Sequence, residues 1–221
     1  MQFFRKKSSI GAMNKALPRS EVLRRGRIAI LDDEGPEMLQ DLLKQGLAVT
    51  HLSSTEDPQF HALAEGAYDL LLLDYGGIGL RFGQDQGLDV LKHLKRINPS
   101  LRILAFTART FDASKADFFR LCDGVIKKDA GIRETLEQVE IHLSEVLTPA
   151  YQLEALAKAV GATETEKAEL EKILSKAVDG RDGKAATAAV KRYAKSCSEK
   201  VVEALVMKAI ELGVAYITSG G

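Results

Sequence analysis

The sequence predicts an α/β protein: a doubly wound sheet of five parallel strands, followed by a small all-helical domain. Three observations lead there. Short apolar runs alternate with helically spaced segments between Arg27 and Leu147. The run Leu70-Leu71-Leu72-Leu73 is too apolar for a half-solvated strand and reads as a central strand buried on both faces. After Thr148-Pro149 the strand-like runs stop and helical spacing continues alone.

The elements follow in order. Arg27–Leu31 is the first strand. Pro36 suits a first helical turn, and Met38, Leu39, Leu42 and Leu43 give one apolar stripe that Gly46 ends. Leu47–Leu52 is the second strand. Ser54 or Thr55 is placed to cap a short helix carrying Phe60, Leu63 and Ala64. The leucine strand runs into Asp74 and then a loop, Tyr75 to Gln86. A helix from Gly87 aligns Leu88, Leu91, Leu94 and Ile97, and Asn98-Pro99 stops it. Leu101–Phe106 is the fourth strand, ending in Thr107. A helix with Phe111, Phe118, Phe119 and Leu121 leads to a fifth strand, Gly124–Ile126. The last helix of the sheet domain, from about Ile132 to Leu147, turns Leu136, Val139, Leu143 and Val146 inward.

Charge divides the chain into three parts. Residues 1–25 carry seven basic residues against one acidic, residues 26–148 carry 13 against 20, and residues 149–221 carry 11 against 10. The expected organisation is a basic flexible arm over 1–25, the sheet domain over 26–148 and a helical domain over 149–221. No apolar run approaches the roughly 18 residues of a membrane span. The two cysteines, Cys122 and Cys197, are far apart and lack metal-type spacing. They read as inert thiols of a reducing compartment.

Right-handed crossovers bring the strand ends to one rim. Those ends carry Asp32 and Asp33, Asp74, Thr107, and Lys127 with Lys128. Crowded carboxylates repel one another, and a hard divalent cation relieves the repulsion. Magnesium suits carboxylates, a carbonyl and waters. The same charge favours a phosphoryl group, and an ionised carboxylate beside the metal can act as a nucleophile to give an acyl phosphate. A hydroxyl and an ammonium aimed at the phosphoryl oxygens complete such a cradle.

ILDDE, LLLLD, FTA and GVIKKDA, in this order, resemble the four signatures of the receiver domain of two-component response regulators. The resemblance covers residues 27–147. It implies the flavodoxin-like strand order 2-1-3-4-5. It implies Asp74 as phospho-acceptor and Asp33 and Asp74 as ligands of Mg2+. Asp32 would help through a water, and the backbone carbonyl of Gly76 would be a further ligand. Thr107 would bond the phosphoryl oxygen. Local chemistry leaves Lys127 and Lys128 equal, whereas the family variant Gly-Tyr-Leu-Leu-Lys-Asp-Ala selects Lys128. The chain departs from the pattern at three places. Ile78 stands where the family usually has Pro, the loop to Gly87 is several residues longer, and Val125 stands where an aromatic usually moves with the Thr. None of the four histidines joins the site: His51, His61, His93 and His142 are expected at the surface or an edge.

In the tail, Tyr151, Leu153, Leu156 and Val160 lead to Gly161. Thr163 and Glu166 make a capping box for a helix holding Leu170, Ile173, Leu174 and Val178. A third helix is expected from Lys184 to Cys197, and Ser198 is placed to cap a fourth. That fourth helix, with Val201, Val202, Leu205, Val206, Ala209, Ile210, Leu212 and Val214, is apolar around most of its circumference. It belongs at the centre of a bundle or in a dimer seam. No histidine follows His142, so the tail lacks what a histidine phosphotransfer module needs.

The resemblance implies a cytoplasmic response regulator, a phospho-accepting switch and not an enzyme with its own substrate, with room for catalysis of its own phosphorylation and dephosphorylation. Asp74 takes its phosphoryl group from a histidine kinase or phosphotransfer protein, and residues 149–221 dimerise or dock on a protein partner. Two other readings stand beside it. One is a transcription regulator whose tail binds DNA through Lys184, Lys191, Arg192 and Lys195, aided by the basic arm. The other is a receiver scaffold that is never phosphorylated.

Overall fold

Four leucines with no exposed surface mark the middle of the sheet. The computed structural model describes residues 9–108, 115–194 and 197–219. Among these, β1 (Arg27–Leu31), β2 (Ala48–Leu52), β3 (Leu70–Leu73), β4 (Arg102–Thr107) and β5 (Gly124–Lys127) form one parallel sheet in the order β2-β1-β3-β4-β5. This is the doubly wound, flavodoxin-like order. All of β3 is buried, as a central strand of leucine requires, whereas edge strand β2 buries only Leu52. In register, Leu31 pairs with Leu73, Leu73 with Ala105 and Ala105 with Val125, which levels the strand ends on one rim.

Alternation along the strands splits the core in two. Ala29, Leu31, Leu71, Leu73, Ile103 and Ala105 pack with residues of α3 (Phe60–Ala64), α4 (Gly87–Ile97) and α5 (Ala116–Leu121). The alternate residues, among them Ile28, Ile30, Leu70, Leu72 and Leu104, are equally buried. Two further helices, α2 (Leu39–Lys44) and α6 (Ile132–Val146), pack on each other, and α6 packs on β3. Two helix starts differ from expectation. Pro36 lies in a turn before α2, its carbonyl accepting from Leu39 N–H at 3.1 Å. Neither Ser54 nor Thr55 caps α3; Ser54 Oγ accepts from Glu56 N–H, and the helix starts only at Phe60, beyond Pro58, a residue type that disfavours helix at the position before it. Phe111 lies outside the described residues.

Contacts divide the chain into two compact units. One is Arg19–Val146, and the other takes in the chain through Pro18 and again from Leu147 onward. The flexible arm expected over 1–25 is corrected wherever it is described. In the first unit, α1 (Arg19–Arg25) buries Val22, and its Arg19 makes a bidentate pair with Glu140 on α6. In the second unit, a 3-10 turn, Ile10–Ala12, buries Ile10 with Met13 close by, and Ile10 N–H donates to Ser175 Oγ at 3.0 Å. Each anchor lies in a short stretch whose basic and polar residues interrupt the apolar ones, so no sustained period registers. The Arg5-Lys6-Lys7 cluster lies outside the described residues.

The second unit is all helical: α7 (Pro149–Val160), α8 (Glu164–Gly180), α9 (Gly183–Val190) and α10 (Glu199–Thr218). The Thr163–Glu166 capping box starts α8. Helix α10 packs on α7, α8 and α9 and buries Val201, Val202, Leu205, Val206, Ala209, Ile210 and Leu212, the bundle-centre arrangement. Ser198 occupies its N-cap without a side-chain capping bond. Helix α9 ends at Val190, its last buried residue, well short of Cys197, and a 3-10 turn Lys191–Tyr193 follows. Two members of the basic stretch are engaged there. Lys191 pairs with Glu199 at 2.7 Å, and Arg192 Nε donates to the Ala189 carbonyl at 3.2 Å. Lys195 lies outside the described residues.

Fully buried Asn98 ties the end of α4 to α3. Its amide donates to the Leu63 carbonyl at 2.7 Å, and its Oδ1 accepts from Ser100 Oγ at 2.7 Å. Asn98→Ala removes both bonds, takes the amide donor from the Leu63 carbonyl, and is expected to cost about 1–3 kcal/mol. Urea denaturation should show a lower midpoint at an unchanged slope; an unaltered midpoint would contradict this role.

Candidate functional site

The sheet ladder delivers the site residues one strand at a time. Asp32 follows β1, and its N–H still pairs with the Leu52 carbonyl at 3.1 Å. Asp74 follows β3, its N–H bonded to the Leu31 carbonyl at 3.0 Å. Lys128 follows β5, its N–H bonded to the Thr107 carbonyl at 2.8 Å. Backbone hydrogen bonding thus fixes three charged side chains before any of them interacts.

The charges then meet. Lys128 Nζ lies 2.8 Å from Asp32 Oδ2 and 2.9 Å from Asp74 Oδ2. Asp32 is 1% exposed, and its other oxygen accepts from Glu34 N–H at 3.0 Å, so neither of its oxygens is stranded. Asp74 Oδ1 accepts from Tyr75 N–H at 2.7 Å. Asp33 is exposed, and its carboxylate comes within 4.8 Å of those of Asp32 and Asp74. Three carboxylates against one ammonium leave a net negative pocket of hard oxygen donors. That set fits Mg2+ and does not fit a thiolate-seeking metal.

Lys128, and not Lys127, is the lysine drawn inward. Lys127 is exposed at the end of β5. Lys128 also lies over the Phe106 ring, 5.5 Å from its centroid. Thr107 is buried at the end of β4 and pairs in register with Lys127. Val125 is 47% exposed, so the usual aromatic position holds a small side chain open to solvent. A cleft of about 370 Å3 opens beside the site, lined by Asp32, Pro36, Met38, Phe106 and Lys128 among others. A larger groove of about 810 Å3 runs along α6, and the acids that converge among the described residues, Asp32, Asp33 and Asp74, lie outside it.

The long loop is packed as well as hydrogen-bonded. Ile78, where proline was expected, is 1% exposed and joins the core beside Leu73 and Leu88. Phe82 packs on Phe60 and on His93, with ring centroids 5.6 and 4.9 Å apart. Arg81 lies over the Phe60 and Phe82 rings. Gly77 has φ +73°, and a Cβ there would collide with the Asp33 carboxylate. Gly87 N–H donates to the Tyr75 carbonyl at 3.0 Å, and a Cβ on Gly87 would collide with the Asp74 carbonyl oxygen.

Sequence reasoning missed two contributors. His51 is not a bystander: its Nε2 donates to the Asp32 backbone carbonyl at 2.8 Å and so steadies the acidic turn. A lone histidine on an edge strand gives no signal of this, because only the β1–β2 register brings it there. Gln86 is the other, through a bond to Gly77 N–H at 3.1 Å. Of the thiols, both unpaired, burial pushes Cys122 up to about 12 and also raises Cys197, which leaves little thiolate on either.

No protein-family model matches the chain, and no curated protein matches it either. Solved structures do. The response regulator protein TrrA from Thermotoga maritima, in complex with Mg(2+)-BeF, is 24% identical over 53% of this chain and 98% of its own, with a TM-score of 0.44. A CheY-like response regulator receiver domain protein from Methanospirillum hungatei is 19% identical over 55% of this chain and 95% of its own, with a TM-score of 0.45. A two-component response regulator/GGDEF domain protein is 17% identical over 58% of this chain, with a TM-score of 0.46, and only 53% of that protein is spanned. The fold assignment rests on the strand order itself.

Partial burial by itself would lower the Lys128 pKa, but the hydrogen bonds and charges of Asp32 and Asp74 outweigh it and raise the value above the ordinary 10.5. A pKa raised on folding contributes stability that is complete below the unfolded value and lost as pH climbs through the folded one. Wild type should therefore lose stability above pH 10.5 more steeply than Lys128→Met, measured by urea midpoints on either side of that pH. Parallel declines would mean that the ion pair contributes nothing.

Proposed function

We propose that the chain is a phospho-accepting signalling switch, with residues 26–148 as its receiver and residues 149–221 as its output or dimerisation module. One observation carries this reading. A single ammonium, Lys128, bridges Asp32 and Asp74 at the ends of adjacent strands, with Asp33 alongside. Around that bridge every part of a phosphoryl-accepting site has a residue.

Asp74 is the nucleophile. One of its carboxylate oxygens attacks phosphorus as the P–N bond of a phosphohistidine breaks, and the departing imidazole takes its proton from solvent. Asp33, Asp74 and the Gly76 carbonyl would hold Mg2+, with Asp32 helping through a water, and the metal would supply charge neutralisation at the phosphoryl oxygens. Lys128 and the Thr107 hydroxyl donate to those oxygens. Phosphorylation moves negative charge outward from the Asp74 carboxylate. Lys128 then loses a partner oxygen at Asp74 and follows the phosphoryl group, while Asp32 retains its Glu34 hydrogen bond. The change biases a two-state surface around β4 and β5.

The donor is a histidine kinase or phosphotransfer protein, the setting is the cytoplasm, and the output is contact with a protein or with a second copy through the helical unit. Pairing of Lys191 with Glu199 favours this over a DNA-binding tail. No described helix is long and apolar enough to cross a membrane.

Incubation with a radiolabelled small-molecule phosphodonor tests the assignment. Wild type should acquire hydroxylamine-labile label only with Mg2+, and Asp74→Asn should acquire none. Equal labelling of Asp74→Asn, or none of wild type, would refute it.

A further inference from the structure

We propose that Gln86 is a positioning residue for the backbone carbonyl of Gly76 and thereby sets the affinity of the acidic cluster for a divalent cation. The inference rests on reading that cluster as the Mg2+ site and goes beyond it, because Gln86 belongs to the elongated loop and touches neither carboxylate nor metal.

A single peptide bond carries the argument. Gln86 Oε1 accepts the N–H of Gly77 at 3.1 Å. That N–H and the Gly76 C=O belong to the same planar peptide and point in opposite directions. Holding the N–H toward Gln86 therefore turns the carbonyl to the opposite side and keeps it there. Accepting from the N–H also polarises the peptide and places more charge on the carbonyl oxygen.

The neighbouring restraints act on atoms outside this peptide. Upstream, the Tyr75 carbonyl is pinned by Gly87 N–H at 3.0 Å. Downstream, Gly77 takes φ +73° against the Asp33 carboxylate, a conformation glycine adopts freely and therefore does not enforce. Between these points Gly76 has open space around it, with no atom within 4 Å of a Cβ built there. Without the Gln86 bond the Gly76–Gly77 peptide is free to rotate between two flexible residues.

Gln86 itself is held in an unfavourable shape. Its φ of 48° and ψ of −115° lie outside the regions that side-chain-bearing residues occupy with ease. Glycine would adopt them more readily. A strained backbone that retains a long amide side chain points to what that side chain holds, and its bond is to Gly77.

Equilibrium binding of Mg2+ to the full chain, with no phosphodonor present, tests the proposal by calorimetry, with Mn2+ as a paramagnetic check. Gln86→Leu should bind roughly ten-fold more weakly than wild type, as loss of a supporting hydrogen bond behind a ligand does. Gln86→Gly relieves the backbone but lacks the acceptor, and it should bind as weakly. Gln86→Glu keeps an acceptor oxygen and should bind at least as tightly as wild type. The Gly77 amide proton, read by NMR without metal, should sit downfield in wild type and Gln86→Glu and move upfield in the other two. Asp33→Asn separates the two layers of inference. If wild type binds no Mg2+, or Asp33→Asn binds as well as wild type, the metal reading falls and this proposal with it. If Asp33→Asn loses binding while Gln86→Leu matches wild type, the Gln86 proposal alone is overturned.

Discussion

Lys128 holds together two carboxylates that would otherwise drive the strand ends apart. Asp32 is almost completely buried, and a buried carboxylate without a partner would take up a proton or be driven toward solvent. Lys128 supplies that partner at 2.8 Å. The same ammonium reaches Asp74, so the acid on β1 and the acid on β3 are tied through a residue that follows β5. The tie crosses the middle of the sheet and gathers its charges to one point. It leaves a surplus of negative charge with Asp33 facing solvent, a site that favours a small hard cation.

Around this electrostatic centre the backbone is held by neighbours on either side. His51 fixes the Asp32 carbonyl, and Gly87 fixes the Tyr75 carbonyl. Ile78 fills the core where proline would have stiffened the chain, so apolar burial replaces a covalent restraint as the means of setting the loop's path. Phe82 and Arg81 spread the rest of the loop over Phe60 and His93. The added length is thus packed against α3 and α4, which gives a longer loop without a looser site.

The fold was legible because its signals are long and mutually consistent. An all-leucine strand has only one comfortable place, and the helices from Gly87 and Ile132 show clear periods over three turns or more. The acidic and basic site residues were legible because each sits directly after a strand, where topology decides its neighbours. What sequence reasoning missed depends on single contacts. Ile10 and Val22 anchor stretches too short to show a period, so an ordered segment read as a flexible arm. His51 reaches Asp32 only through strand register, and Gln86 reaches Gly77 only through the loop's path. The early end of α9 had no signal in the sequence, because Tyr193, Ala194 and Cys197 continue its apolar spacing and still pack on the core beyond the helix, while Lys191 and Arg192 find local partners.

The helical unit solves a separate problem. Helix α10 has too much apolar surface to stand alone, and α7, α8 and α9 cover most of it, leaving Met207 and Ile217 among its exposed apolar residues. The most direct test of the switch is 19F NMR of beryllofluoride, a stand-in for the phosphoryl group, added to the full chain with Mg2+. Bound resonances in wild type that vanish in Asp74→Asn, together with shifts of the Thr107 and Lys128 signals, are the predicted result. Wild-type protein that leaves beryllofluoride free in the presence of Mg2+ would contradict the assignment of Asp74 as a phosphoryl acceptor.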